Sequence, residues 1–104
     1  MERIGFVMRL LPGAEAEYRQ RHAEVWPEML DELRAAGARN YSIFLRGDDL
    51  FGYLEVEDLR RFQESLAASE INARWQADMG LLIDPLTDPA TGFHQRLDEV
   101  FHLE

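Results

Sequence analysis

The chain has no cysteine, which excludes disulfides, thiolate nucleophiles and cysteine-ligated metals. Basic residues are scarce: eleven Lys and Arg stand against twenty Asp and Glu, giving a net charge of -9 and a pI near 4.7. Such a surface repels phosphate backbones and anionic lipid headgroups at long range, so nucleic acid and membranes are poor partners. Long apolar runs are also missing, and a bilayer span needs about 20 such residues. The opening Met1-Glu2-Arg3-Ile4 lacks the basic region and apolar run of a signal peptide, so the expected location is cytoplasmic. There is no Gly-x-Gly-x-x-Gly, no Walker-type loop and no nucleophile elbow, which removes the usual signatures of nucleotide binding and acyl-enzyme chemistry. The three histidines, at 22, 94 and 102, form no His-x-x-x-His pair and lie near no carboxylates at ligand spacing, so no metal is expected. Internal repeats and low-complexity tracts are absent as well.

What remains is a chain of 104 residues, 46% of them hydrophobic, with two Trp, three Tyr and six Phe. That length suits one domain over residues 1–104. A domain of this size buries only about two-thirds of its extended-chain surface, so a second copy would add useful burial.

Residues 3–10 alternate, with Ile4, Phe6, Met8 and Leu10 on one face, and read as a half-buried strand ended by Pro12-Gly13. From Ala14 to Ala36 the period becomes helical. Tyr18, His22 and Trp26 form one i, i+4 row, and Val25, Met29 and Leu33 a neighbouring one. Pro27 has no amide proton for a continuous helix, which predicts a kink or a restart there, and Gly37 supplies a C-terminal stop. Asn40–Arg46 and Leu50–Glu57 flank the turn Gly47-Asp48-Asp49 and read as a hairpin. Asp58 can cap a helix carrying Leu59, Phe62 and Leu66, while Ile71, Trp75, Met79 and Leu82 follow a second register after a break near Ser69. The segment 84–92, with two of the four prolines, reads as a loop, and 97–103 as a closing strand.

The order β, α, ββ, α(α), β predicts an α+β chain: a ferredoxin-like antiparallel sheet with its helices on one face. Large residues occupy both faces of the strands, as in Ile43 with Phe44, Leu50 with Phe51 and Val100 with Phe101. Two sheets meeting across a dimer axis would cover the second face, giving a dimeric α+β barrel.

Chemistry concentrates in the stretch EYRQRHAEVWPEM, where a phenol, an imidazole and an indole recur at helical spacing. An imidazole titrates near neutral pH and serves as general acid or base, and an aromatic plate suits the C–H face of a sugar. The same row would also serve as a core stripe around a buried histidine, and spacing alone leaves both readings open. Tyr41 and Trp75 are open in the same way, while His94 and His102 read as solvated or structural. The acidic run Glu55-Val56-Glu57-Asp58 reads as a solvated strand end and helix cap.

That stretch does not stand alone. Phe6-Val7-Met8, Pro12, Glu17-Tyr18-Arg19, Arg21-His22, Val25-Trp26-Pro27-Glu28, Asn40-Tyr41-Ser42-Ile43, Leu50-Phe51-Gly52, Arg74-Trp75 and Glu99-Val100-Phe101 together resemble the L-rhamnose mutarotase family over nearly the whole chain. L-fucose mutarotases share the His and Trp-Pro features, but the hairpin entry and the Glu-Val-Phe ending are more similar to the rhamnose branch. The resemblance implies a homodimer and a cofactor-free aldose 1-epimerase acting on a monosaccharide. It makes His22 the proton donor and places Tyr18, Tyr41, Trp75 and Gln76 at the sugar. The family often has a Trp-Trp pair on the last helix, where this chain has Trp75-Gln76, and its loop DPLTDPATG differs from the family's usual one. The partner base stays open among Tyr18, a carboxylate and water. The competing classes are an L-fucose-type mutarotase, a small monooxygenase or non-epimerising binding protein on the same dimeric barrel, and a purely structural domain.

Overall fold

The computed structural model describes all residues, 1–104. Its elements are β1 Glu2–Leu10, α1 Glu15–Ala23, α2 Pro27–Ala35, β2 Arg39–Arg46, β3 Asp49–Val56, α3 Leu59–Ala67, α4 Glu70–Met79, β4 Ile83–Asp84 and β5 Gln95–Leu97. The sheet runs β2-β3-β1-β4, with β5 also on β1, and every pairing is antiparallel. This is the strand order of a ferredoxin-like fold. No helix is long and apolar enough to cross a membrane.

Alternation along β1 buries Ile4, Phe6, Met8 and Leu10 against the helices, and β3 adds Leu50, Leu54 and Val56 to the same face. Tyr18, Met29, Phe62, Trp75 and Met79 pack down from the four helices and complete the core. Asp58 Oδ1 accepts from the Arg61 amide at 3.2 Å, and Ser69 Oγ from the Asn72 amide at 3.1 Å, so each of the last two helices has a side-chain cap. The break near Ser69 is therefore a capped junction between two helices. The hairpin closes through the two residues Gly47-Asp48, with Gly47 at φ +61, a turn that calls for glycine at its first central position.

Two expectations change. The row Tyr18, His22, Trp26 does not lie on one helix: α1 ends at Ala23, Trp26 is extended at φ -55 and ψ 131, and α2 restarts with Pro27 in its first turn. The ring of Pro27 disfavours helical backbone at the residue before it, so Trp26 leaves the row. The closing strand is also displaced. β5 covers Gln95–Leu97, ahead of the expected 97–103, and Asp98–Glu104 forms no regular structure. Continuing the register of Leu97 on Gly5 would set Asp98, Glu99 and Val100 opposite Ile4, Arg3 and Glu2, and would leave residues 101–103 beyond the start of β1. Glu99 instead receives two bonds from the Arg3 guanidinium, at 3.0 and 3.2 Å. Val100, Phe101 and Leu103 are left at 79% or more exposure.

At the centre of the sheet the Phe6 ring lies over Gly52, its neighbour on β3, and a Cβ there would run into the ring. Gly52→Ala is expected to destabilise the fold by about 1–3 kcal/mol through overpacking. Urea unfolding measures it, and adding Phe6→Leu should recover part of the loss. A neutral Gly52→Ala would show that the ring moves aside freely.

Candidate active site

Between α1, α2, α4 and the edge strand β2 lies a cavity of about 640 Å³. Tyr18, Arg19 and His22 reach it from α1, Tyr41 from β2 and Trp75 from α4, while Met29, Leu33, Ile43, Leu45 and Leu50 supply much of its apolar wall. No Asp or Glu lines it. The sequence thus brings four of its five candidate residues, Tyr18, His22, Tyr41 and Trp75, to one hollow. Gln76 lies outside the lining, exposed on α4 with its amide on Asn72 at 3.3 Å.

Tyr18 and His22 share one face of α1, one turn apart, and their rings stack at 4.1 Å. Nδ1 of His22 lies 3.0 Å from the Tyr18 carbonyl oxygen. A carbonyl only accepts, so Nδ1 carries the proton and Nε2 has the lone pair in the neutral ring. Trp75 meets the His22 ring edge-to-face at 5.5 Å, and Trp26 backs Trp75 in the same manner at 5.1 Å. The displaced Trp26 therefore supports the site from behind the cavity wall.

Tyr41 shares its face of β2 with Ile43 and Leu45 by alternation, and a bulge begins beside it. The register of β2 against β3 slips by one between Arg39 and Ser42, which leaves Asn40 and Tyr41 opposite the single residue Leu54. Asn40 takes the left-handed conformation, φ 50, and donates its side-chain amide to Glu55 at 2.8 Å. Asparagine tolerates that backbone better than most residues. Tyr41 lies on the helix-covered face with Ile43 and Leu45, and its ring meets Phe6 edge-on at 6.1 Å.

Burial sets the protonation of the site. It pushes the phenol of Tyr18 up to about 12 and also raises that of Tyr41, through desolvation and proximity to Tyr18, although 37% of Tyr41 stays exposed. Burial also holds the His22 imidazole below its ordinary value, against the smaller opposing pull of the Tyr18 carbonyl. At neutral pH the cavity thus presents two phenols and a neutral imidazole.

The other histidines stand apart. His94 stacks on Phe6 at 4.8 Å and places Nδ1 2.7 Å from the Pro85 carbonyl; burial lowers its value too. His102 sits 3.8 Å from Glu99, in a second hollow on the opposite face of the sheet with Arg3, Tyr53 and Arg96. That hollow is lined by charges, Arg3 and Glu99 among them already paired. No three His, Asp or Glu side chains anywhere converge as a metal site requires.

Sequence reasoning did not single out Arg19, or Asp78. Arg19 reaches the cavity from between Tyr18 and His22, a position its adjacency to Tyr18 could have suggested. Asp78 receives Arg21 at 2.7 Å and ties α1 to α4, next to His22 and one turn from Trp75. Nothing in the spacing of residues 57 apart announces that pair.

In this ferredoxin-like α+β chain one imidazole, two phenols and an indole meet in an apolar hollow, a set of groups chemically able to contact a small, partly apolar molecule and to transfer a proton. Comparison with known proteins makes this specific. The family profile of L-rhamnose mutarotase matches residues 3–103. The L-rhamnose mutarotase of Oceanobacillus iheyensis is 41% identical over the whole of both chains, and that of Listeria monocytogenes 43% identical over 99% of each. The crystal structure of L-rhamnose mutarotase from Formosa agariphila is 31% identical and superposes with a TM-score of 0.81 over 100% of both chains. The chain belongs to the L-rhamnose mutarotase family.

These protonation states predict how stability depends on pH. The unfolded imidazoles take up protons near 6.5, above the folded values of His22 and His94, so their contribution is complete above about 6.5 and is lost as pH falls through the folded values. The unfolded phenols ionise near 10, below the folded values of Tyr18 and Tyr41, so stability falls above about 10. Urea midpoints should therefore decline on both sides of a flat region. His22→Gln with His94→Gln should make the decline between pH 7 and 5 shallower; an unchanged slope would contradict neutral burial.

Proposed function

We propose that the chain is an L-rhamnose mutarotase, an isomerase of the aldose 1-epimerase type that interconverts the α and β anomers of L-rhamnose. The observation that carries this reading is the placement of a single imidazole beside two un-ionised phenols and an indole in a cavity without carboxylates, on a chain of this family. Each of those groups suits a reducing sugar. Trp75 offers an apolar plate for the C–H face of the ring, and Tyr18 and Tyr41 keep hydroxyl hydrogens for sugar oxygens. The wall of Leu33, Ile43 and Leu45 is apolar enough for the C6 methyl. Gln76 contributes an exposed amide beside Trp75, outside the lining.

The reaction removes the proton from the anomeric hydroxyl and delivers one to the ring oxygen as the C1–O5 bond breaks. C1 then turns about C1–C2, and O5 adds to the other face of the aldehyde with the proton transfers reversed. The product is an isomer, no electrons are exchanged, and the chemistry calls for no cofactor. His22 is the proton donor to O5. A positioned acid or base contributes about 10²- to 10⁴-fold, which is ample for a reaction that already proceeds in water. All eleven basic residues are arginine, so the transient aldehyde meets no lysine amine with which to condense.

The reading includes a cytoplasmic homodimer. Phe44 and Leu97 lie on the sheet face opposite the helices at 65% and 46% exposure, together with Phe51, Val7 and Tyr53. A second sheet packed there would bury them. Light scattering should give twice the 12.1-kDa chain mass at micromolar concentration, and a monomer with intact fold would refute the two-sheet arrangement.

Two further measurements test the activity. His22→Ala should lose about 10²- to 10⁴-fold in anomer exchange, followed by saturation-transfer NMR, while unfolding near the wild-type urea midpoint. Wild-type exchange in that variant, or loss of the fold, would remove the catalytic assignment. L-Rhamnose should be exchanged faster than L-lyxose, which keeps the ring configuration but lacks the methyl, by an amount worth about 1–3 kcal/mol. L-Fucose, with altered hydroxyl configuration, should be slower than both, because a misplaced hydroxyl leaves a buried polar partner unpaired. A lead for L-fucose would overturn the choice of sugar and leave the mutarotase class standing.

A further inference from the structure

The mutarotase reading leaves the base that takes the anomeric proton without a name, and on that reading we propose that His22 performs both transfers: Nε2 removes the proton from O1, and the imidazolium so formed returns it to O5. Elimination within the cavity supports this. Among its lining residues the titratable groups are Tyr18, Arg19, His22 and Tyr41. A guanidinium stays protonated, and phenols, whose ordinary value near 10 is raised further here, do not lose a proton at neutral pH.

The carboxylates in the surroundings are turned away or engaged. On α1, Glu15 binds Arg19 at 3.0 Å and Glu17 binds Arg21 at 3.1 Å, and just past its end Glu24 takes the Gln20 amide at 2.8 Å. On α4, Asp78 binds Arg21 at 2.7 Å and Glu70 pairs with Arg74 at 3.5 Å. On α2, Glu28, Asp31 and Glu32 are outside the lining, and from β2 only Tyr41 brings a titratable group to the cavity.

The geometry of His22 fits the double task. Its Nδ1–H is committed to the Tyr18 carbonyl at 3.0 Å, leaving one nitrogen, Nε2, for all proton traffic. O1 and O5 are bonded to the same carbon, so one nitrogen close to C1 reaches both with a small shift of the sugar. In the opening direction the O1–H bond breaks to Nε2, the C1–O5 bond breaks as C1=O1 forms, and the proton on Nε2 goes to O5. After rotation about C1–C2 the steps reverse: Nε2 takes the proton from O5, O5 adds to C1, and the imidazolium protonates the new O1. The imidazole ends neutral, as it began.

The pH dependence of kcat/KM for L-rhamnose exchange tests the assignment, with the buffer rate subtracted. One group that acts first as a base gives a single limb: the rate falls tenfold per pH unit below the His22 value, which lies under the ordinary 6.5, and holds level from there to about pH 9. A bell, or a fall as pH rises above 6.5, would mean that His22 acts only as an acid with a second group as base, and would overturn the proposal. His22→Gly supplied with imidazole gives an independent measure, since rescue should scale with the neutral imidazole concentration as pH is varied. Rescue scaling with imidazolium would overturn it as well. Exchange no faster than buffer at every pH would instead refute the mutarotase reading, and with it this proposal.

Discussion

The Phe6 ring lying over Gly52 is the contact on which the site depends. Phe6 is fully buried in β1, with β3 and β2 on one side and β5 and β4 on the other. Glycine at 52 lets the ring lean across the sheet instead of standing on it. From there its edge meets Tyr41 on β2, one face carries His94, and Phe93 packs at 5.3 Å. A single side chain thus fixes the inner position of a cavity tyrosine and anchors the loop before β5. Larger residues at 52 would push the ring toward the cavity wall, so packing density at the sheet centre and geometry at its edge are one problem.

The helices impose the second constraint. Stacking of Tyr18 on His22 follows from their spacing by four on α1, but the distance from His22 to Trp75 depends on how α1 sits against α4. The Arg21–Asp78 pair spans that gap, with both side chains about one-third exposed. An exposed ion pair adds little to stability. Its consequence here is registration, since it joins the residue before His22 to the residue three beyond Trp75.

This division explains what was legible in the sequence. Alternation with Gly and Pro punctuation located β1, the hairpin and the restart at Pro27, because those are local properties of the chain. The motif around His22 resembled a family strongly enough to name four residues that the fold brings to one cavity. Trp26 has the spacing of a third member of a helical row, and the local rule that proline disfavours helical backbone at the residue before it removes it from that row. Non-local facts were out of reach. The end of the chain reads as a strand because Val100-Phe101 is strand-like in composition, yet a strand needs a partner, and in the register of Leu97 on Gly5 residues 101–103 fall beyond the start of β1 at Glu2. The Arg21–Asp78 pair, and the contact of Asn40 with Glu55 at the slip beside Tyr41, join residues 57 and 15 positions apart.

The distribution of charge completes the picture. A chain of net charge -9 has built a cavity with no carboxylate, and exposed ion pairs on α1 and α4 hold nearby acidic groups on the outside. The shift of His22 then comes chiefly from desolvation and from no charged partner. A carboxylate in contact would favour the imidazolium, keeping Nε2 occupied and weakening the conjugate acid. Burial does the opposite on both counts: the resting ring is free to take a proton, and the ring once protonated is a stronger acid that gives it up readily. On the proposed double transfer, a base held below the ordinary imidazole value by burial serves both halves, and an apolar wall with no neighbouring charge is the simplest way to hold it there.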